Sequence, residues 1–208
     1  MAKRENDRAD IIRAAIELVA ENGIAAVTTR QIAKKAGVSD GLMYRFFNSK
    51  EDLLASCLYQ IADNIADHFQ AEVTRKISGQ EEFKRVAHER WNMYFSYLLE
   101  NVSETLFFYE FSESANMRKL LEEKKFSISN YYYMLNSRLG VADQAFIHAK
   151  DEDIPFFWVF YFHISATFAV KIIRGEFSDS NETREKVWTL LSQGISWSVE
   201  IRSSSLNE

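Results

Sequence analysis

The sequence predicts an all-α protein, and two observations support this. Helix breakers are scarce, because the 208 residues include one proline and seven glycines. Long stretches also place apolar residues at the 3.6-residue spacing of an amphipathic helix, and no run alternates with the period of two that is typical of a half-buried strand. The chain is 47% hydrophobic, a composition that lets a chain of this length bury a sizeable core.

Two short helices are predicted first. Helix 1 should span about residues 8–22, with Gly23 in the position where a left-handed conformation ends many helices. Helix 2 should start after Thr28, because Thr28 and Gln31 have the spacing of a capping box, and Gly37 should end it.

Helix 3 and a much longer helix 4 follow. Ser39 can cap helix 3, which should reach about Phe47. Helix 4 should run over residues 50–77, because one of its faces stays apolar over that length before Ser78-Gly79 interrupts the pattern. The tight glycine turn over residues 36–39 gives helices 2 and 3 the arrangement of a helix-turn-helix.

Five further helices complete the prediction. They are expected at about residues 80–100, 103–111, 115–138, 153–174 and 181–202, with a loop over 140–153. Pro155 fits the first turn of the eighth helix, where its missing N–H would have no helical partner in any case. The chain should then divide into residues 1–52 and 53–208, joined through helix 4.

The charge distribution separates the two parts of the chain. Residues 1–50 hold nine basic and six acidic side chains, whereas the remainder holds sixteen basic and twenty-four acidic ones, and the net charge of the whole is −5. A net positive N-terminal segment followed by a net negative remainder is expected when only the N-terminal segment contacts phosphates.

Compartment and membrane association follow from composition. The single cysteine, Cys57, excludes a disulfide within the chain, and the polar N-terminus does not resemble a signal segment. The most apolar run, residues 154–170, contains His163 and is followed by Lys171 and Arg174, which favours a buried helix over a membrane span. We therefore expect a soluble, cytoplasmic protein without a membrane partner.

Catalytic and metal-binding patterns are missing from the sequence. His68, His88, His148 and Cys57 have no metal-ligand spacing. No Ser/His/Asp arrangement, paired-carboxylate motif or phosphate loop is evident. An enzyme of all-α fold is therefore the least favoured of the functions considered, and no metal or cofactor is expected.

Residues 28–54 carry the most specific pattern in the chain. They read TTRQIAKKAGVS over 28–39 and LMYRFFNSKEDLL over 42–54. This run resembles the TetR family, whose pattern is roughly T-[TV]-x-x-I-A-x-x-A-G-V-S-x-x-x-[LI]-Y-x-[YH]-F-x-[SN]-K-[ED]-x-L. The resemblance implies that residues 1–52 bind double-stranded operator DNA, with helix 3 in the major groove and helix 2 braced against the backbone.

The DNA-contacting residues are expected on helices 2 and 3 and at the start of helix 4. Hydroxyls, cations and helix N-termini hold phosphate, and exposed side chains of helix 3 face bases. The phosphate candidates are Thr28, Thr29, Arg30, Tyr44 and Lys50, and the candidates on helix 3 are Ser39, Asp40, Gly41, Leu42 and Arg45. Arg45 is the strongest base reader, because a guanidinium that binds guanine O6 and N7 together discriminates by about 1–3 kcal/mol.

Two positions depart from the common pattern. Asp40 is acidic on a face that meets DNA, so it would either accept from the N4 amine of cytosine or cap helix 3. Phe46 stands where the family often has Tyr or His, and it cannot donate to phosphate. Lys3, Arg4 and Arg8 would form either an arm that touches DNA or a disordered solvated tail.

Residues 53–208 are expected to bind a ligand and to dimerise. Residues 91–168 are rich in aromatic rings, most of which should form core and dimer interface. In the resembled family a cavity in this region binds a small inducer, here expected to be apolar or aromatic. The candidate lining residues are Phe107, Glu110, Tyr132, Asn136, Phe160 and His163. His163 would alternatively be a hydrogen-bonded core residue, and Glu110 a surface residue.

The dimer is expected to form through helices 8 and 9. Both are apolar on more than one face, so each needs cover from its own core and from a partner. Two such helices from each subunit would form a four-helix bundle, which is the interface that the resemblance implies. The function that follows is a ligand-responsive repressor, the alternative being a regulator controlled by a protein partner.

Overall fold

Every regular element of the described residues is an α-helix, as the scarcity of breakers predicts. The structure, a computed structural model, describes residues 2–69, 80–122 and 154–195. In that part of the chain the helices are α1 (Ala2–Asn22), α2 (Thr29–Lys35), α3 (Asp40–Phe46), α4 (Lys50–Phe69), α5 (Gln80–Glu100), α6 (Val102–Ser112), α7 (Ala115–Glu122), α8 (Ile154–Ile173) and α9 (Asn181–Ile195). The all-α prediction is confirmed.

Helix boundaries agree closely with the sequence pattern where both are available. The main difference is at α1, which begins at Ala2 and not near Arg8. Its early residues include no glycine or proline that would interrupt a helix. The segment thought to be an arm or a tail is therefore helical. The predicted ends of helices 4, 7 and 9 and the loop over 140–153 lie outside the described residues.

The chain folds as two compact units. The first comprises Met1–Asn64 with Asn101–Tyr131, and the second comprises Ile65–Glu100 with Tyr132–Glu208. The predicted division into residues 1–52 and 53–208 separates functions and not compact units, so it stays a prediction.

The first unit is built around α1, which contacts α2, α3 and α6. The apolar stripe of α1 is fully covered, with Ile11, Ala15 and Val19 buried. From α6, the rings of Phe107 and Phe111 are also buried, and they stack with their centroids 5.6 Å apart. Burial of apolar area on both sides of α1 is what holds the short helices α2 and α3 in place.

Local capping sets where α2 begins. Thr28 is its N-cap, and the backbone N–H of Gln31 donates to the Thr28 hydroxyl at 3.3 Å. In return the Gln31 side-chain oxygen accepts from the Thr28 backbone N–H at 2.8 Å. The capping box predicted from the sequence is confirmed, and it satisfies two backbone donors that the helix itself cannot.

The second unit has α5 at its centre, in contact with α8 and α9. Trp91 of α5 is completely buried, and its indole N–H donates at 3.1 Å to the hydroxyl of buried Ser165 on α8. Arg184 of α9 donates to Ser96 of α5 at 2.8 Å and to both carboxylate oxygens of Asp179. The buried Trp91 indole and Ser165 hydroxyl, and the partly buried Arg184 guanidinium, thus have hydrogen-bond partners.

None of the helices within residues 2–69, 80–122 and 154–195 is long and apolar enough to cross a membrane. That same part of the chain holds no group of three or more His, Cys, Asp or Glu side chains arranged to bind a metal ion.

The turn between α2 and α3 generates a stability prediction. Gly37 has φ +69°, a left-handed conformation that disfavours any side chain, and nothing lies within 4 Å of a Cβ placed there. Gly37→Ala should therefore lower the free energy of unfolding by about 1–2 kcal/mol through backbone strain alone. The measurement is chemical denaturation of the full chain.

Gly41→Ala is the matched control. Gly41 lies inside α3 without a positive φ, and a Cβ there would also meet nothing within 4 Å. The control should be neutral or stabilising by about 0.5 kcal/mol, because alanine favours a helix. Equal stability of the two variants would contradict the left-handed turn.

Candidate nucleic-acid interface

The helix-turn-helix is formed by α2, α3 and the turn over residues 36–39. The N–H of Ala36 donates to the carbonyl of Ile32 at 2.9 Å, and the N–H of Val38 donates to that of Ala33 at 3.0 Å. Ser39 then caps α3, because its hydroxyl accepts from the N–H of Leu42 at 3.2 Å. The turn therefore satisfies its own backbone groups and fixes the angle between the two helices.

Asp40 is predicted either to cap helix 3 or to accept from a base, and the structure contradicts the first of these roles. The cap of α3 is Ser39, whose hydroxyl already holds the Leu42 N–H, and Asp40 is the first residue inside the helix. Its exposed carboxylate makes no hydrogen bond or ion pair with any residue that the structure describes. The capping role is wrong, and base recognition is the role that stays a prediction.

One face of α3 is exposed and the opposite face is buried. Met43 and Phe47 are covered to 2% exposure, and Leu42 and Phe46 are half-buried. The exposed face carries Asp40, Gly41, Tyr44 and Arg45. Since these positions are spaced by one and four residues, they share the side of the helix that a DNA groove could receive.

Two hydroxyl groups meet where α2 and α3 approach each other. The Thr29 hydroxyl lies 3.2 Å from that of Tyr44, whose side chain is 53% exposed. The Thr28 hydroxyl is used differently, because it accepts from the Gln31 N–H and donates to the Gln31 side chain at 2.7 Å. Thr29 and Tyr44 therefore form a pair of hydroxyl groups in hydrogen-bond contact, while Thr28 acts mainly as the cap of α2.

The described basic side chains of α1, α2 and α3 divide into those that have a charged or aromatic partner and those that make no ion pair. Lys35 contacts Glu17 at 3.1 Å and Glu21 at 3.0 Å, and hydrogen bonds to these carboxylates raise the pKa of Lys35. Arg13 pairs with Asp10, and the Arg8 guanidinium lies 5.4 Å from the centroid of the Phe47 ring.

Arg30, Lys34 and Arg45 form the unpaired group. All three are exposed, and none makes an ion pair with a residue in the described ranges. Lys34 was missed by the sequence analysis, since nothing local distinguishes it from its neighbour Lys35. Only the packing of α2 on α1 shows that one lysine meets carboxylates and the other does not.

Lys50 has partners that its sequence position did not predict. Its ammonium donates to the backbone carbonyl of Ile24 at 3.0 Å and to that of Val27. Burial lowers the pKa of Lys50, because the charged form loses hydration. The predicted phosphate contact by Lys50 stays a prediction, but in the structure the ammonium faces the loop between α1 and α2.

The start of α4 is capped by its own side chains. The N–H of Asp52 donates to the Ser49 hydroxyl at 3.1 Å, and the N–H of Asn48 donates to the Asp52 carboxylate at 2.8 Å. Hydrogen bonds from its own backbone N–H and from Ser49 lower the pKa of Glu51. The helix N-terminus expected to attract phosphate therefore already carries two carboxylates.

The predicted ligand-binding residues are distributed over both units. Phe107 and Glu110 lie on α6 of the first unit, where Glu110 is half-buried and its Oε2 atom lies 4.0 Å from the Cβ position of Gly23. Phe160, which is 39% exposed, and half-buried His163 lie on α8 of the second unit. Tyr132 and Asn136 lie outside the described residues. A shared pocket stays a prediction.

The geometry defines the class of protein: a helix-turn-helix protein with an exposed second helix and unpaired cations beside it. Comparisons narrow this class. Residues 11–57 match the family model described as bacterial regulatory proteins, tetR family. The match lies in the segment whose sequence resembles the TetR family.

Relatives by sequence are transcriptional regulators. The chain is 32% identical over 83 residues to the fatty acid metabolism regulator protein of Bacillus subtilis, a match that covers 40% of this chain and 43% of that protein. It is 38% identical over 88 residues to the HTH-type transcriptional regulator HbdR of Aromatoleum, with 42% and 37% of the two chains covered. The matches thus span about two-fifths of the relatives' length.

Solved structures extend the likeness to the whole fold. A TetR family transcription regulator from Marinobacter aquaeolei matches with a TM-score of 0.65 at 21% identity, covering 96% of this chain and 98% of that one. The fatty acid degradation regulator FadR from Bacillus halodurans matches with a TM-score of 0.56 at 22% identity, covering 88% and 93%. The helical fold of this chain is therefore similar to the folds of these two proteins.

Proposed function

We propose that the chain is a dimeric transcriptional repressor that leaves a palindromic operator when a small apolar or aromatic inducer binds. Residues 1–52 would contact DNA in the cytoplasm, and residues 53–208 would bind the inducer and form the dimer. The observation that carries the DNA-binding part is the exposed face of α3, with Arg45 beside the Thr29–Tyr44 hydroxyl pair.

Each exposed group has a role that its chemistry supports. Thr29, Arg30, Lys34 and Tyr44 would contact phosphates, because hydroxyls and unpaired cations bind the backbone without regard to sequence. Arg45 and Asp40 would face base edges, since Arg recognises guanine and a carboxylate accepts from cytosine N4. Gly41 would let the helix backbone approach the groove closely, because no side chain stands between them.

Arg45→Ala tests this assignment. Operator binding should weaken, and preference at one base position should be lost by about 1–3 kcal/mol, because one bidentate contact is removed. The measurement is fluorescence anisotropy on an operator selected from random duplexes with the wild-type protein, followed by single base-pair substitutions. Arg13→Ala is the control, since Arg13 is already paired with Asp10 on α1. Preference unchanged at every position in Arg45→Ala would remove Arg45 from the base contacts.

Exposed apolar side chains on α8 and α9 support the proposed dimer. Leu190 of α9 is 58% exposed although its neighbours Val187 and Leu191 are buried, and Phe160 of α8 is 39% exposed. These two helices contact each other within the second unit. Large apolar side chains left exposed on adjacent helices are typical of a surface that a second copy covers.

Leu190→Asp should therefore shift the protein from dimer to monomer. A carboxylate buried in an apolar interface would lose its hydration without gaining a partner. Light scattering at micromolar concentration measures the change. Thr189→Asp adds the same charge at the neighbouring exposed position and should remain a dimer. A dimeric Leu190→Asp protein would place the interface elsewhere.

The inducer would act through α6 as well as through α4. Phe107 and Glu110 lie on α6, and α6 contacts α1, which supports α2 and α3 in the first unit. A ligand that displaced α6 would therefore act on the scaffold of the DNA-binding face. Binding of DNA and of inducer must then oppose each other through one coupling free energy.

Titration of the operator complex with candidate inducers tests this coupling. Two similar proteins carry fatty acid regulation in their names, so acyl-chain compounds are the first choice, followed by flat aromatic and cationic compounds. A true inducer should weaken operator binding by about 5–150-fold, the usual range of allosteric coupling. A response to none of them, together with release by a protein partner, would support the alternative of a partner-controlled regulator.

A further inference from the structure

The α1–α2 loop, residues 23–28, is fixed by contacts of two kinds. Ile24 and Val27 bury their apolar side chains to 8% and 2% exposure. Their backbone carbonyl groups both accept from the Lys50 ammonium, the contact to Ile24 being 3.0 Å. A single cation from the first residue of α4 thus holds two acceptors of a loop that is distant in sequence.

The electrostatic setting favours this arrangement. The loop follows the C-terminus of α1, where backbone carbonyls point outward and the helix dipole is negative. Hydrogen bonds to a charged donor are shorter and stronger than those between neutral groups. Because Lys50 is partly buried, its ammonium exchanges hydration for these two carbonyls.

The contact lies next to the proposed phosphate site. Val27 immediately precedes Thr28, the N-cap of α2, and Thr29 is the α2 residue that meets the Tyr44 hydroxyl. At its other end the contact begins at α4, whose first turn also reaches α7 through the Glu51–Lys119 pair at 3.3 Å. A movement of α4 would therefore be transferred to the N-terminus of α2.

We propose that Lys50 is a positioning residue: its ammonium binds the α1–α2 loop to the first turn of α4 and so sets where Thr28 and Thr29 meet the DNA backbone. Lys50 acts on DNA affinity through the loop and not as a ligand of phosphate. This role rests on the proposed function, since it concerns the geometry of the DNA-binding face.

Salt dependence separates positioning from phosphate contact. Each phosphate contact that is lost lowers the slope of log affinity against log salt by about one. Lys50→Met should weaken binding to the selected operator by about tenfold at every salt concentration and leave the slope unchanged. Lys34→Met is the matched control, because Lys34 is exposed and unpaired among the described residues, and it should lower the slope by about one.

Two further measurements exclude a role in stability alone. The affinities are compared at a temperature far below the unfolding transition, where Ile16→Val, a core variant of lower stability, should bind DNA like the wild type. Amide hydrogen exchange of residues 24–29 should become faster in Lys50→Met and stay unchanged in Lys34→Met. This exchange measurement needs no DNA, so it tests the loop contact even if the wild-type protein fails to bind any duplex, a result that would overturn the proposed function alone.

Lys50→Arg gives a second, conservative test in case Lys50→Met fails to fold. Arginine binds phosphate well, but its longer planar group does not fit the place of an ammonium between two carbonyls. Positioning therefore predicts weaker binding with an unchanged slope and faster exchange at residues 24–29. Wild-type affinity in Lys50→Arg, or a slope lowered by about one with unchanged exchange in Lys50→Met, would overturn the proposal and make Lys50 a phosphate ligand.

Discussion

The burial of α1 is the constraint on which the proposed DNA-binding face depends. Helices α2 and α3 have seven residues each, and helices this short are marginal in water unless tertiary packing supports them. That support comes from the apolar stripe of α1, which α2 and α3 contact directly. Because α6 also contacts α1, the exposed face of α3 rests on a core to which an element outside the helix-turn-helix contributes.

The same packing decides which charges remain available. Placing α2 on α1 brings Lys35 to Glu17 and Glu21, while Lys34, one residue earlier, is exposed and makes no ion pair with either carboxylate. Placing the first turn of α4 beside the α1–α2 loop turns Lys50 toward backbone carbonyls. The positive charge counted along residues 1–50 is therefore larger than the charge that DNA could use, and its distribution is a tertiary property.

Local signals explain what could be predicted from the sequence. The capping box at Thr28 and the glycine turn at Gly37 each depend on residues a few positions apart, and the structure confirms both. The partners of Lys50 and the difference between Lys34 and Lys35 depend on which helix or loop lies opposite. Asp40 shows that a local motif can also be ambiguous. Ser39 and Asp40 are both residue types that favour the cap position, and the sequence alone does not show that Ser39 occupies it.

The small number of unpaired cations bears on how such a protein would select its site. Arg30 and Lys34 of two subunits would bring about four cations to phosphates, fewer than the 6–10 phosphate contacts that make binding strongly salt-dependent, while Arg45 would face a base. Asp40 adds repulsion on the same face, which weakens binding to every sequence that offers its carboxylate no donor. A weak attraction to DNA in general then raises the share of affinity that must come from base contacts. In the proposed function it would also make dimerisation a condition of tight binding, since one subunit alone would hold too few phosphates.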